Sequence, residues 1–287
     1  RYLIPWKPTY HIFDYLKSVS DEKGDKFALL ISDAEKLGVW GSTHEFCYVE
    51  GKGHVEGDNH KPFVPAFFEK ISNYDWVKPI TLTEYMEKFP ARGLVYLPTS
   101  SYDKMEEWVL PTTLRKIFED YREDYRTHNS GKDLYLFLKG GFWRHFLVKY
   151  PEANNMHKKM LHVRDKFILL EERIKKTNYK STELNNYLES AWEEIYKSQC
   201  NDAYWHGLFG GVYLQFLRFG NYTHLINAEN IYDKILKILN PKIKSYISII
   251  PKDLTKDSRL EYLIESNIFN IYVNPSDGGT IFEIDYK

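Results

Sequence analysis

The spacing of apolar residues changes near residue 145, and this change constrains the fold more than any other feature. Before it, short β-rich runs alternate with helical patterns, which is typical of parallel βαβ units. After it, strand signals stop and apolar residues recur at helical spacing to about residue 239. A β-rich segment follows from about residue 260. The pattern predicts an α/β part over 1–145, a helical part over 146–255 and the beginning of a β domain over 260–287.

Three apolar runs of the first part are predicted to be strands: Phe27–Ile31, Leu94–Pro98 and Leu134–Leu138. The second of these is equally compatible with an extended loop. The last residues of the chain predict a hairpin, since two strand-like runs, Asn270–Val273 and Thr280–Ile284, flank a turn sequence. A lone hairpin is marginal in water and needs more sheet. The first residues, Arg1 to Pro5, begin inside an apolar segment, so we expect an internal piece of a longer protein.

Helices are predicted from local signals in both parts. Pro8 suits a first helical turn, and an apolar stripe follows it: Ile12, Phe13, Leu16 and Val19. Thr81 and Glu84 have the spacing of a capping box, so a helix to Lys88 is predicted. Five further ranges are predicted to be helical: 112–126, 154–176, 181–198, 203–218 and 227–239.

Within 154–176 the apolar stripe is assigned to the core, and its members share helical spacing: Met156, Met160, Val163, Phe167, Leu170 and Ile174. The pairs Lys158-Lys159 and Lys175-Lys176 are interpreted as solvated helix faces. His157 and His162 are five residues apart, which is not a zinc spacing on one helix face, so surface or capping roles are expected.

Composition excludes several classes of function. A net charge of −1, from 39 basic and 40 acidic residues, argues against a nucleic-acid partner. No apolar run reaches the roughly 20 residues that span a bilayer, so no membrane partner is expected. With Cys47 and Cys200 as the two cysteines and no signal-peptide pattern, two buried free thiols and a cytoplasmic location are predicted. The sequence indicates no metal or cofactor, and a homo-oligomer is left open.

The run from Gln199 to Gly211 has the composition of a ligand-binding wall. It places Asp202, Trp205 and His206 within a few residues and follows them with three glycines. Tyr and Trp rings are large and carry one polar group each, which suits a ligand with apolar faces and polar edges, such as a sugar. The alternative is a helix start in which Asn201 or Asp202 caps and the rings enter the core. Composition alone gives the two interpretations similar weight.

Asp33 and Glu35 follow the first predicted strand, two residues apart. Strand side chains alternate, so both carboxylates are predicted to point the same way, at the end of a parallel strand where catalytic groups collect. Two carboxylates in one pocket can divide the roles of acid and base. The alternative is a turn in which Asp33 caps and Glu35 pairs with Lys36.

The segment from Ser32 to Phe46 resembles the motif H-D-D-G-E-K-F-G-x-W-P-G-T-Y-E-W of glycoside hydrolase family 57. The resemblance implies that Asp33 is the general acid/base and that Glu35, Trp40 and Glu45 contact the substrate. Four positions depart from the motif: Ile31, Ser32, Ala34 and Leu37 stand where the family has His, Asp, Gly and Phe. The acid/base position is kept while its neighbours are altered, which fits a changed active site and also a decaying one.

Further motifs of the same family occur in the same order along the chain. Gly93–Pro98, Ser101–Pro111, Gly140–Trp143 and Lys149–Leu161 resemble its central segments, and Asn201–Gly211 resembles its last motif without departure. The likeness is greatest to the α-amylase and 4-α-glucanotransferase branch. Asp202, Trp205 and His206 are thereby implied as substrate-binding residues of the helical part.

The family implies part of a (β/α)7 barrel over 1–145, a helical bundle over 146–255 and the start of a β-sandwich over 260–287. It also implies a retaining enzyme on α-1,4-glucans whose Glu nucleophile lies on an earlier strand, outside this chain, so that this piece alone is inactive. The expected partner is an α-glucan or malto-oligosaccharide. Two alternatives remain: a non-catalytic amylase-like protein that binds glucan or a partner enzyme, and a helical interaction module with no sugar role.

Overall fold

A computed structural model describes residues 4–51, 58–127, 137–177, 181–208 and 210–287. The chain divides into two units, Arg1–Tyr96 and Leu97–Lys287. The first unit ends well before residue 145, so residues 97–145 are grouped with the helices and the sheet that follow them. The division into three domains stays a prediction.

Among its described residues, the first unit contains four α-helices: α1 (Tyr10–Val19), α2 (Thr43–Tyr48), α3 (Phe63–Asn73) and α4 (Leu82–Lys88). Phe13 is buried on α1, and its ring lies 5.5 Å from the ring of Phe67 and 5.2 Å from that of Tyr74. Of the predicted stripe, Phe13 is buried, Ile12 and Leu16 are partly buried, and Val19 is exposed. The predicted capping box of α4 is confirmed, because Thr81 Oγ1 accepts from the Glu84 amide and the Glu84 carboxylate accepts from the Thr81 amide.

A buried ion pair joins the start of α1 to α3. Both the amide and the hydroxyl of Thr9 donate to Asp58, at 2.8 and 2.6 Å, and Lys70 Nζ lies 2.8 Å from the same carboxylate. Burial acts to raise the pKa of Asp58, but the hydrogen bonds from Lys70 and Thr9 outweigh it and lower that pKa.

Two of the three strands predicted in the first part are not formed. Phe27–Ile31 is irregular, and Leu29, Leu30 and Ile31 are exposed, Ile31 by 82%. Leu94–Pro98 is also irregular and exposed, which agrees with its alternative interpretation as a loop. A strand needs a hydrogen-bonded neighbour, and in the described part of residues 1–246 no strand is present to supply one. The prediction over Leu134–Leu138 falls mostly on residues 134–136, which lie outside the described residues.

The second unit contains six helices among its described residues: α5 (Asp103–Trp108), α6 (Thr112–Thr127), α7 (His145–Lys149), α8 (Pro151–Thr177), α9 (Thr182–Lys197) and α10 (Gln215–Leu239). The last three share one apolar core, to which each contributes: Val163, Phe167, Leu184, Ile195, Leu225 and Ile235. The predicted stripe of 154–176 is buried as expected. The helix predicted over 203–218 is wrong: a 3₁₀ turn over Asn201–Tyr204 leads into a glycine-containing loop, and α10 then runs unbroken through the separate helix predicted over 227–239.

A four-stranded antiparallel sheet ends the unit, in the order β1 (Ile247–Lys252), β2 (Glu261–Ser266), β3 (Phe269–Asn274) and β4 (Thr280–Tyr286). The predicted hairpin is formed by β3 and β4. One face of the sheet carries a row of four paired isoleucines, one from each strand: Ile249, Ile264, Ile271 and Ile284. The outer two are 62% and 63% exposed. This sheet has one solvent-facing apolar surface, and a second sheet that would complete a sandwich stays a prediction.

The opposite face of the sheet is lined by charged groups that α8 and α10 bury. Lys159, fully buried on α8, pairs with Glu283 and Asp285 of β4, and its Nζ lies 3.7 Å from Glu229 of α10. Lys166 Nζ lies 2.8 Å from Glu229 and 2.9 Å from Glu265. The expectation that Lys159 lies on a solvated face is therefore wrong.

His162 also belongs to this buried cluster. Its Nε2 lies 2.8 Å from Glu265, so a surface role is wrong for this histidine. Spacing explains the outcome: Lys159, His162 and Lys166 are three and four residues apart, so they project from one face of α8, towards the sheet.

Two further findings bear on the composition. Both cysteines are free thiols, but Cys200 is exposed, against the prediction that both are buried. None of the described helices combines the length and the apolarity that a membrane crossing requires.

Candidate functional site

The first unit holds four of the predicted site residues in one short stretch. Asp33 stands at the N-cap position of a 3₁₀ helix, Ala34–Leu37, with φ −64° and ψ 129°, and Glu35 lies inside that helix. The prediction that both carboxylates project from one strand is therefore wrong, because the chain turns between them. Both side chains are exposed.

Lys36 connects Asp33 with Trp40. Its Nζ lies 3.3 Å from Asp33 Oδ2 and 5.7 Å from the centroid of the Trp40 ring. The turn alternative expected Glu35 to pair with Lys36, but Asp33 makes that ion pair. The backbone then closes tightly, since the amides of Val39 and Trp40 both donate to the carbonyl of Glu35. This arrangement presents an exposed carboxylate and a partly exposed indole on one turn.

Glu45 follows in the first turn of α2, where it is exposed. The Thr43 amide donates to the Trp40 carbonyl at 2.9 Å, so the start of α2 is tied to the turn that carries Trp40. Gly38 has φ +140°, and a Cβ there would meet the Tyr48 ring at 3.0 Å, so glycine suits the position. Asp33, Glu35, Trp40 and Glu45 thus share one locally connected segment.

The second unit holds the other three predicted residues. Asp202 is exposed on the 3₁₀ turn Asn201–Tyr204. The turn is anchored on its buried side, because the buried hydroxyl of Tyr204 donates to the Ser198 carbonyl at 2.8 Å. Burial raises the pKa of Tyr204 well above its usual value, so the phenol stays a hydrogen-bond donor.

Trp205 is held on two sides. Its ring stacks on Trp108 with centroids 5.6 Å apart and planes 3° apart, and its Nε1 donates to Asn201 Oδ1 at 3.1 Å. Only 9% of Trp205 is exposed, so this stacking leaves little of the indole for a ligand. Lys149 fixes the partner segment, since its Nζ donates to the carbonyls of Trp108 and Leu110 at 2.7 Å each.

His206 lies in a loop that closes on itself. It forms an isolated antiparallel bridge with Gly211, and the Val212 amide donates to the Trp205 carbonyl at 2.7 Å. The imidazole contacts two tyrosine rings edge to face, Tyr150 at 5.8 Å and Tyr213 at 5.3 Å. Its Nδ1 is buried without a hydrogen-bond partner among the residues that the structure describes.

Two glycines make this loop possible. A Cβ on Gly207 would lie closer than 3.0 Å to three carbons of the Trp108 ring. Gly211 has φ +122°, and a Cβ there would collide with the Trp205 carbonyl and the His206 Cα. These positions require glycine for close approach rather than for flexibility.

Sequence reasoning missed Trp108, Tyr150 and Tyr213 as parts of this site. Trp108 and Tyr150 both lie in segments that carry the family resemblance, so their positions were marked but their contacts were not. Tyr213 stands two residues after the glycine pair, and no pattern distinguishes it. Over the described ranges no group of three His, Cys, Asp or Glu side chains could hold a metal ion.

Comparison with known proteins agrees with the motifs. Residues 141–232, which include α7, α8, α9 and the loop of Asp202, match the family model described as the middle domain of α-amylase/4-α-glucanotransferase. The whole chain is 38% identical to α-amylase 1 of Dictyoglomus thermophilum and 35% identical to the 4-α-glucanotransferase of Thermococcus litoralis. It covers 37% of each of those proteins, so it spans little more than a third of the relatives it matches.

The fold agrees as well. The crystal structure of the 4-α-glucanotransferase from Thermococcus litoralis superposes with a TM-score of 0.72 at 34% identity, over 100% of this chain and 38% of that one. The match extends over both units and contains the predicted motifs in order. The family model, the relatives and the solved structure together support membership of glycoside hydrolase family 57, and the likeness is to its α-amylases and 4-α-glucanotransferases.

Proposed function

We propose that the protein is a retaining enzyme that acts on α-1,4-glucans, as a 4-α-glucanotransferase or an α-amylase. The observation that carries the proposal is the likeness of the entire chain, at 35–38% identity, to proteins with those two names. Asp33 occupies the acid/base position of the family motif, and its carboxylate is exposed at the start of a turn. The expected ligand is an α-glucan or a malto-oligosaccharide.

In this proposal Asp33 acts twice. It first gives its proton to the glycosidic oxygen of the leaving sugar while the nucleophile carboxylate attacks the anomeric carbon. It then takes a proton from water or from the hydroxyl of an acceptor sugar, which displaces the enzyme carboxylate with overall retention. Water as acceptor gives hydrolysis, and a second sugar gives transfer.

The remaining predicted residues bind the substrate in this proposal. Glu35, Trp40 and Glu45 belong to the segment that carries Asp33, and Asp202, Trp205 and His206 belong to the loop of the second unit. The nearly buried Trp205 would act through the edge of its ring and by shaping the loop. We place the nucleophile outside this chain, in the part of the protein that the relatives have in addition, and expect this chain alone to be inactive.

A second candidate function is a non-catalytic, amylase-like protein that binds glucan or a partner enzyme. It draws on Ile31, Ser32 and Ala34 at motif positions, and on the engagement of the Asp33 carboxylate by Lys36 at 3.3 Å. For both candidates we place the protein in the cytoplasm, since Cys47 and Cys200 are free thiols.

Product analysis separates these candidates. The full-length protein is incubated with maltoheptaose beside its Asp33→Asn variant, with Asp21→Asn as the matched control. Asp21 is likewise an exposed Asp paired with a Lys, at 3.2 Å from Lys26 in the same unit. Longer and shorter oligosaccharides together, lost in Asp33→Asn alone, would indicate a glucanotransferase, and shorter ones alone an amylase. A folded protein that binds the sugar without turnover would contradict the enzyme proposal.

A further inference from the structure

Three aromatic rings meet beside the Asp202–His206 loop. Tyr150, His206 and Tyr213 contact one another edge to face, with centroid separations of 5.8 Å, 5.3 Å and 5.6 Å and interplanar angles between 75° and 87°. Mutual edge-to-face contact fixes the orientation of each ring, since rotating one ring breaks its contacts with both others. The cluster is a rigid unit in which Tyr213 is half exposed, at 52%.

The backbone that carries Tyr213 is fixed as well. On its N-terminal side Val212 is fully buried, and its amide donates to the Trp205 carbonyl at 2.7 Å. On its C-terminal side the Leu214 amide donates to the Gly211 carbonyl at 2.9 Å, directly before α10 begins at Gln215. Tyr213 therefore presents an ordered ring from an ordered loop.

An ordered, exposed tyrosine ring suits one kind of ligand surface. Tyr offers a large apolar area with two side-chain torsions, so little conformational entropy is lost when it binds. Because both torsions are already set by Tyr150 and His206, the loss is smaller still. A glucosyl ring has an apolar C–H face to lie on such a ring, and its hydroxyls point outward to polar neighbours. Asp202, which is exposed, and His206 precede Tyr213 in the same segment of the chain and carry polar groups.

We propose that Tyr213 is a sugar-stacking residue for an α-glucan chain, with its ring held in place by its edge-to-face contacts with Tyr150 and His206. The inference rests on the proposed function, which supplies the glucan as ligand, and it adds a substrate-binding residue that the motifs do not contain.

The test is titration of the protein with maltoheptaose, monitored by calorimetry, for the wild type and two variants of Tyr213. Tyr213→Leu keeps an apolar side chain but removes the flat ring, and we expect the dissociation constant to rise about tenfold, equivalent to about 1.4 kcal/mol. Tyr213→Phe keeps the ring face and is expected to bind like the wild type. The matched control is Tyr121→Leu, since Tyr121 is a comparably exposed tyrosine (56%) on α6.

The outcomes separate this inference from the function on which it rests. A wild type that does not bind maltoheptaose would overturn the proposed glucan ligand and this inference with it. A wild type that binds, with Tyr213→Leu binding equally well, would overturn the role of Tyr213 and leave the proposed function standing. Equal loss in the Leu and Phe variants would also overturn stacking, because Phe retains the ring. A thermal melt of each variant confirms that the loop is folded.

Discussion

The Nε2 atom of His162 lies 2.8 Å from Oε1 of Glu265, and both side chains are buried between α8 and the sheet. On the other side of the ring, Lys252 Nζ lies 2.9 Å from His162 Nδ1. An ammonium group can only donate, so Nδ1 accepts and Nε2 carries the hydrogen that is donated to Glu265. The ring thereby connects strand β1, helix α8 and strand β2 in one chain of hydrogen bonds.

The first prediction concerns acid stability. Burial acts to raise the pKa of Glu265, but the hydrogen bonds from His162 and Lys166 outweigh it and lower that pKa far below the ordinary 4.5. A carboxyl group with a lowered folded-state pKa stabilises the fold above its unfolded pKa, and this contribution is lost as pH falls below about 4.5. Urea unfolding between pH 6 and pH 3 is expected to show falling stability, with a shallower slope in Glu265→Gln. Equal slopes in the two proteins would contradict the assignment.

The second prediction concerns the alkaline side. Burial, helped by the carboxylate of Asp285, raises the pKa of Glu283 to about 8, although Lys159 opposes the shift. A raised folded-state pKa stabilises the fold fully below the unfolded value of 4.5, and the contribution is lost as pH rises to about 8. Glu283→Gln is expected to flatten the decline in stability over that interval, measured by urea unfolding at successive pH values.

The third prediction concerns the buried lysine of the same cluster. Lys159→Met would leave Asp285 and Glu229 without their shared cation. Removing one partner of a buried ion pair costs about 3–5 kcal/mol. The free energy of unfolding measures the loss. Lys175→Met on the exposed end of the same helix should change it by less than about 0.5 kcal/mol. Similar small effects in both variants would show that the cluster contributes little.

The fourth prediction uses two glycines as a matched pair. Gly207→Ala forces a methyl group against the Trp108 ring, and such overpacking costs about 1–3 kcal/mol. Gly220 lies within α10, where an added methyl group would meet no described atom within 4 Å outside the backbone of its own helix. Gly220→Ala should therefore stabilise the protein by up to about 1 kcal/mol. The free energy of unfolding, measured by chemical denaturation, should fall in Gly207→Ala and rise in Gly220→Ala. If Gly207→Ala is as stable as the wild type, the loop at Gly207 and the segment of Trp108 can move apart at little cost.

The fifth prediction concerns the row of isoleucines. In this chain Ile284→Thr replaces the ethyl group of an exposed side chain with a hydroxyl and should leave the free energy of unfolding within about 0.5 kcal/mol of the wild type. In the full-length protein the same change should cost more than about 1 kcal/mol if a second sheet covers this face. Unfolding of both forms by urea measures the difference. No added cost in the full-length protein would count against a sandwich.

What the sequence predicted well was local. The capping box of Thr81 and Glu84 and the stripe of α8 depend on residues a few positions apart, and both formed as expected. Phe27–Ile31 failed as a strand because pairing depends on distant segments that its own residues do not specify. Strand β1 lies inside the range 146–255 that was predicted to be helical. Its Pro251 is tolerated because β1 is an edge strand of the sheet.

In the candidate site too, the sequence indicated individual residues but not the contacts between distant segments. The motifs located Asp33 and Asp202, but they did not contain the contacts of Trp108 with Trp205 or of Tyr150 with Tyr213, which join segments far apart in the chain. Lys159 was assigned to solvent because a lysine pair on a helix is usually exposed. Burial of Lys159 is favourable because Glu283 and Asp285 of β4 accept hydrogen bonds from it, and these residues lie more than a hundred positions later in the chain.

The charged layer under the sheet also determines how the sheet can lie on the helices. An apolar face can slide by two residues along a strand and bury a similar area, since the alternation of side chains is preserved. Here the same slip would carry Glu283 and Asp285 past Lys159 and would take Glu265 away from both His162 and Lys166. Each such displacement of the sheet would leave buried charged side chains without partners. The sheet therefore packs on the helices in a single position, which the charged residues of α8 determine.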